Sequence, residues 1–511
     1  MKYSLFFRYA TAGAMLLSAA SCKDYLGNNL DPNNPQVVPP GAILTNLEAH
    51  TAFVTTNTIG RVSELFMQHY AGVAGQPASY DTYAIRGEFD NEWQFDLYAG
   101  SLADAQNIIT NGAQNGPAYT GIAKLIKAYN FAFVTDVWGD VPYSQALQGS
   151  AILQPRFDKQ EDIYKGNTAL NIQSLFDLVR DGLKDLDQPA GTTIPTSADD
   201  LIYGGRLANW RKFGNTLLLK FALQISKKDP TLATAVIKEV LAKGSANYIS
   251  DNADDFQLTF GTSVGNQNPF YSFNGPANNG SLATPLGNRP LEQMASRRFI
   301  DSLNLRNDPR LPQFYTTSPT NAAAVTTAFG IFTGYNNGSN AGIPAAANRS
   351  RYNTYIVGTS GEAPVRMLTN FQTKFILAEA ALALNSGENA QTRFTEAITA
   401  SMTKAGVPTA TITAYLANPV NQPYVTLSGS IEHQRNQIIT QKWIALLGNG
   451  YEAWNDYRRT GYPRLAPVDN PSSDSPVIPQ RFFYTLTEIS SNSNNVPNPR
   501  PNITDRVWWA N

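Results

Sequence analysis

The chain has 511 residues, of which 42% are hydrophobic, 11% aromatic and 15% charged, with a formal net charge of −1. That is enough apolar material for a sizeable core and offers no basic field for a phosphate backbone, so nucleic acid is set aside as a partner. A single cysteine, Cys22, excludes a disulfide framework and Cys-based metal sites.

In chain order, Lys2 and Arg8 precede an apolar run through Ala14, Met15, Leu16 and Leu17, and small residues then lead to Cys22. This is a charged n-region, a short h-region and a small-residue cleavage site. A bilayer-spanning helix takes about 20 apolar residues, and neither this run nor any later one is that long. The stretch Leu17-Ser18-Ala19-Ala20-Ser21-Cys22 resembles the lipobox of bacterial lipoproteins, which would make residues 1–21 a signal peptide and Cys22 a lipidated N-terminus. The alternative is an ordinary secretory signal cleaved near Ser21. Loss of residues 1–21 removes two bases and no acid, leaving a charge of −3. Residues 22–40, with Asp31-Pro32-Asn33-Asn34-Pro35, read as a flexible tether, and 41–511 as one domain.

From Ala42 apolar residues recur at helical steps: Ile43, Leu44 and Leu47, then Val62, Leu65, Phe66 and Tyr70. After a Gly-, Tyr-, Asp- and Asn-rich interruption at 71–92, the pattern resumes at Trp93, Leu97, Tyr98, Leu102 and Ile108. Further one-sided stripes predict helices over 120–134, 172–186 and 207–226. Between about 250 and 365 Gly, Asn, Ser, Thr and Pro dominate, with helix expected only briefly near Leu291–Leu303. So long an aperiodic stretch is expected to be functional or folded onto a scaffold. Helices return at 371–385 and 391–404, joined through Asn385-Ser386-Gly387 as a hairpin, and at 431–447. The fold class expected is mainly α: a solenoid of degenerate TPR-type hairpins with a loop-rich ligand-binding face.

Four segments carry a family likeness. They are Thr135-Asp136-Val137-Trp138-Gly139-Asp140-Val141-Pro142-Tyr143; Asp200-Leu201-Ile202-Tyr203-Gly204-Gly205 with Trp210 and Asn215; Asn307-Asp308-Pro309-Arg310-Leu311-Pro312; and Gln441-Lys442-Trp443-Ile444-Ala445-Leu446 followed by Gly450 to Pro463, which includes Trp454, Asp456, Arg458 and Arg459. In this order the chain resembles the SusD and RagB superfamily of Bacteroidetes outer-membrane lipoproteins. The resemblance implies an α-helical fold with TPR-like hairpins and a lipid anchor in the outer membrane, facing the cell exterior. It also implies a SusC-like TonB-dependent transporter as partner, and binding of glycans or other nutrients instead of catalysis. The alternative is a lipid-anchored helical-repeat protein that holds another protein and takes no small ligand. No HExxH, GxSxG, P-loop or Rossmann fingerprint argues for an enzyme.

Asp136, Gly139 and Asp140 are expected to do turn chemistry, the acids bonding nearby backbone N–H groups and the glycine supplying positive φ. Glu452, Trp454, Asp456, Arg458 and Arg459 are expected to form an ion-paired structural knot. His50 and His69 are expected to be satisfied core or surface imidazoles. A glycan presents apolar C–H faces to flat aromatic rings and hydroxyls to polar side chains, so aromatic residues in polar loops are the ligand candidates. These are Tyr80, Asp81, Tyr83 and Arg86, with Trp93 behind; Phe270, Tyr271, Phe273 and Asn274, with Asn278 and Asn279; and Tyr335, Asn336 and Asn337, followed by Tyr352. Taken singly, each aromatic has the alternative of pinning its own loop to the scaffold. No cofactor or catalytic residue is indicated. The Asn- and Asp-rich loops have oxygen ligands suited to calcium, but no spacing assigns a site.

Overall fold

The computed structural model describes residues 38–511 except 190, 192, 275–288, 290, 319–323 and 474. Cys22, the expected leader, the tether up to residue 37, and Asn278 and Asn279 lie outside the described residues.

Helix α1 (Pro40–Thr56) begins on a proline, whose missing N–H is no loss in the first turn. It stops at Asn57, where a ψ of −139° breaks the periodic run before α2 (Thr58–Phe66). A π-helical stretch, Glu92–Ser101, bends at Gly100 into α3 (Leu102–Thr110), and α4 (Gly112–Trp138) follows. Buried Ile122, Leu125, Ile126, Tyr129 and Phe133 form the α4 stripe expected from their spacing. Helix α5 (Leu175–Leu186) packs along α4 and is capped by Ser174, whose Oγ accepts the Asp177 N–H at 2.9 Å.

Helices α6 (Leu207–Ile225) and α7 (Pro230–Ala242) form the next hairpin, followed much later by α8 (Asn370–Ala383) and α9 (Ala390–Lys404). Asp229, Thr369 and Asn389 cap α7, α8 and α9. Helix α5 packs on α6, α6 on α8, and α10 (Ile431–Ala445) on both α8 and α9. Helix α11 (Gly450–Thr460) then returns to lie on α2. The chain is mainly helical, as expected. Helix α7 is an addition, because its buried stripe is sparse: Ala233, Val236, Ile237 and Val240.

The loop-rich stretch is more ordered than its composition suggests. It holds the helix Arg297–Leu305 and several short strands. Tyr70–Gly72 pairs antiparallel with Gln293–Ala295, and Phe256–Leu258 pairs antiparallel with Val365–Leu368. These ladders stitch the stretch to the N-terminal helices and to the entry of α8. Among the described residues no helix is long and apolar enough to cross a membrane.

Candidate functional site

The signature segments meet first. Asp136, at the end of α4, is fully buried. One carboxylate oxygen accepts from Tyr164 Oη and Trp509 Nε1, each at 2.8 Å. The other accepts from Tyr451 Oη at 2.8 Å and Asn455 Nδ2 at 3.2 Å. The turn chemistry expected of Asp136 is therefore replaced by bonds to side chains remote in sequence. Its backbone carbonyl takes a 2.6 Å bond from Arg458, whose guanidinium lies 3.5 Å over the ring of Trp454. Burial holds the Arg458 pKa down at about 9.

Arg459 forks onto Glu379 at 2.6 and 2.7 Å and also bonds Asp456 at 2.9 Å, while Lys442 reaches Asp456 at 2.8 Å and Lys220 lies 3.1 Å from Glu452. Burial works to raise the Asp456 pKa, but Lys442 and Arg459 hold it below the usual carboxylate value. This is a buried knot of paired charges. Gly139 ends α4 at φ +82°, a conformation that L side chains rarely adopt. Asp140 accepts the Gln160 N–H at 2.9 Å and pairs with Lys159 at 2.7 Å, so its partners lie about one loop away. Arg310 and Asp308 form a fully buried bidentate pair, and the guanidinium also donates to Ser401 and Gln441. His69 is buried, bonded to Glu64 and to the Trp443 carbonyl.

The three candidate loop clusters also converge. Asp81 accepts Asn337 Nδ2 at 2.6 Å and the Gly338 N–H at 2.7 Å, tying the first cluster to the third. Burial raises the Asp81 pKa to about 7 against these bonds. Phe270 and Tyr352 meet Tyr70 with ring centroids 5.0 and 5.1 Å away, tying the second cluster to the third. Tyr80, Asp81, Tyr83, Tyr271, Asn274 and Tyr335 are buried, Phe273 is half-buried, and Arg86 and Asn336 are exposed. The buried tyrosines show what holds them: Tyr83 lies edge-on to Phe66 at 5.8 Å, and Tyr335 Oη closes its own loop on the Ser339 carbonyl at 2.8 Å. Trp93 is buried edge-on against Trp138 at 5.0 Å.

Around Phe273 the structure gathers residues that composition did not single out. The Arg61 guanidinium, from α2, lies 3.3 Å from the centroid of the Phe273 ring. Burial lowers the Arg61 pKa to about 10, opposed by the charges of Tyr80, Glu92 and Glu292. Tyr80 is pushed up to about 12 by burial, with Glu88 and Glu92 adding to the effect. Exposed Arg289 pairs with Glu292 at 3.4 Å beside them. A half-buried aromatic ring, a guanidinium and paired charges thus share one patch of the loop-rich side. Among the described residues no group of His, Cys, Asp and Glu is placed to hold a metal ion.

A SusD-like family model, described as starch-binding associating with outer membrane, matches residues 32–485. The chain belongs to the SusD-like family. Its SusD-like fold is similar to that of a chitin-binding protein, with a TM-score of 0.74 at 23% identity over 93% of this chain and 100% of the other. It is also similar to a chitin-binding SusD homologue from Flavobacterium johnsoniae, with a TM-score of 0.72 at 22% identity over 92% and 97% of the two chains. A SusD homologue from Bacteroides uniformis gives 0.72 at 23% identity over 92% and 99%. At these identities the likeness is one of fold. No curated protein matches the chain. Within the SusD-like sequence, Arg61 sits on a predicted helix among apolar residues, and only its position one helical turn before Leu65 hinted that it lay beside the core.

Proposed function

We propose that this SusD-like chain captures a glycan nutrient on its loop-rich side and delivers it to a SusC-like TonB-dependent transporter, held at the outer membrane by lipid on Cys22. The observation that carries the reading is the Arg61–Phe273 stack beside Arg289 and Glu292. A pyranose presents a C–H face to an aromatic ring, while guanidinium and carboxylate groups satisfy its hydroxyls. Exposed Arg86 and Asn336 are polar groups that the neighbouring loops add to this side. The family description and the chitin-binding relatives favour a glycan over a peptide.

Affinity electrophoresis against chitin, starch and other polysaccharides tests the reading, with Phe273→Ala as the diagnostic variant. Retardation by one glycan class and a loss of about tenfold in affinity in Phe273→Ala are expected. No retardation by any class would remove the glycan. Cys22→Ser should release the chain from the membrane fraction; retention after a high-salt wash would remove the anchor.

One observation favours a second reading, a scaffold for a protein partner without a small ligand. An open groove of about 730 Å³ runs between α8, α9 and the 250–252 loop, lined by Asn252, Asn370, Lys374, Gln391, Glu396 and Thr399. Pull-down that recovers proteins but never a barrel transporter would support it.

A further inference from the structure

On the helical side, away from the residues proposed above for the glycan, a cleft of about 290 Å³ lies between α3, α4, α5 and the 143–148 loop. Gln106, Lys127, Ser144, Gln148, Asn171 and Gln173 give it a polar lining. Lys127 is half-buried and bonds Gln106 Oε1 at 2.7 Å, with the Phe131 ring 5.7 Å away. Among the described residues it has no ion-pair partner, whereas nearby carboxylates are engaged elsewhere. Asp158 pairs with Arg156, Asp177 with Arg180 and Asp185 with Lys124, while Asp181 accepts from Gln173. An ammonium has three donors, and Gln106 takes one. A half-buried cation without a counter-charge favours an anionic ligand.

The cleft also has length. Ala146, Leu147 and Gln148 are shared with a neighbouring hollow of about 550 Å³ that runs past Trp93, Tyr98 and Leu153. A ligand longer than one sugar ring fits along that wall. We propose that this cleft is a second saccharide site, for a chain bearing a carboxylate such as a hexuronate, with Lys127 pairing to the carboxylate and Gln148, Gln173 and Asn171 taking hydroxyls. The proposal is independent of the loop-side glycan reading.

Calorimetry of the full chain with trigalacturonate tests it, with cellotriose and acetate as neutral and minimal comparators. Trigalacturonate should bind at least about tenfold more tightly than either. Lys127→Met should lose about tenfold or more, and Lys127→Arg should stay within about threefold of wild type. Burial brings the Lys127 pKa down to about 8, so affinity should hold below that pH and weaken as pH rises through it. Tyr143, whose pKa burial raises, stays neutral across this range. In case Lys127→Met fails to fold, lysine acylation of the wild-type chain provides a second measurement, in which trigalacturonate but not cellotriose should protect Lys127. Equal binding of cellotriose, binding of acetate as tight as the trimer, or unprotected Lys127 under saturating trimer would each overturn the proposal.

Discussion

Asp81 shows how far a residue's surroundings depart from what its sequence neighbours suggest. In a Tyr- and Gly-rich stretch it reads as a ligand-contacting acid, yet it is fully buried and joins two loops more than 250 positions apart through Asn337. Tyr83, Tyr271 and Tyr335 depart in the same way, because loop is packed on loop and composition does not record depth. An aspartate ionises at about 3.9 in the unfolded chain. In the fold burial holds Asp81 at about 7. The folded state therefore binds the extra proton between those values, and the Asp81 contribution to stability, full below the lower one, is lost as pH rises through the upper. Asp81→Asn cannot ionise. The wild-type stability minus that of the variant should fall from about pH 4 to about pH 7 and be level on either side. Urea midpoints across that range read the slope, and a flat difference would show that Asp81 ionises in the ordinary range.

Among elements, the strongly striped helices were legible, whereas α7, with its sparse stripe, and the short strands were not. A 3.6-residue stripe such as Leu175, Phe176, Val179, Leu183 and Leu186 identifies α5 by itself. Strands of two to four residues, such as Phe256–Leu258, have too few positions to show a period of two. The turn into α6 lies between these extremes. Asp200 accepts the N–H groups of Ile202, Tyr203 and Gly205 and the Trp210 indole N–H, a side chain standing in for turn carbonyls. The turn closes only if Gly205 adopts φ +83°, and a Cβ there would lie 2.4 Å from the Pro195 carbonyl oxygen. Gly387, in the α8–α9 turn, has φ +92° but open space around it. Gly387→Ala should cost about 1 kcal/mol from backbone strain alone, and Gly205→Ala about 2–4 kcal/mol because the clash adds to it. Thermal or urea denaturation of the two variants checks the ordering; equal losses would mean that the 195–205 loop gives way without resistance.

For the whole molecule, the bonds of Asp136 explain why a helical solenoid with a long loop-rich insertion can behave as one unit. Its carboxylate bonds a short helix through Tyr164, α11 through Tyr451 and Asn455, and the C-terminal tail through Trp509, and it sits itself at the end of α4. Four elements distant in sequence thus share one buried acid, and Phe482 from the tail packs on Phe66, Trp138 and Trp454 around it. The sequence marked Asp136 as part of a signature but suggested only a local turn, since none of its four partners is nearer than 28 positions away. Asp136→Ala would leave two buried phenols, an indole N–H and an amide without their acceptor. The expected loss is about 3–5 kcal/mol. If these bonds couple the elements, the midpoint should fall while tryptophan fluorescence and far-UV circular dichroism still report one coincident transition. Two separated transitions in the wild-type chain would show that the halves unfold independently, and a loss below about 1 kcal/mol in Asp136→Ala would show that water replaces the carboxylate at little cost.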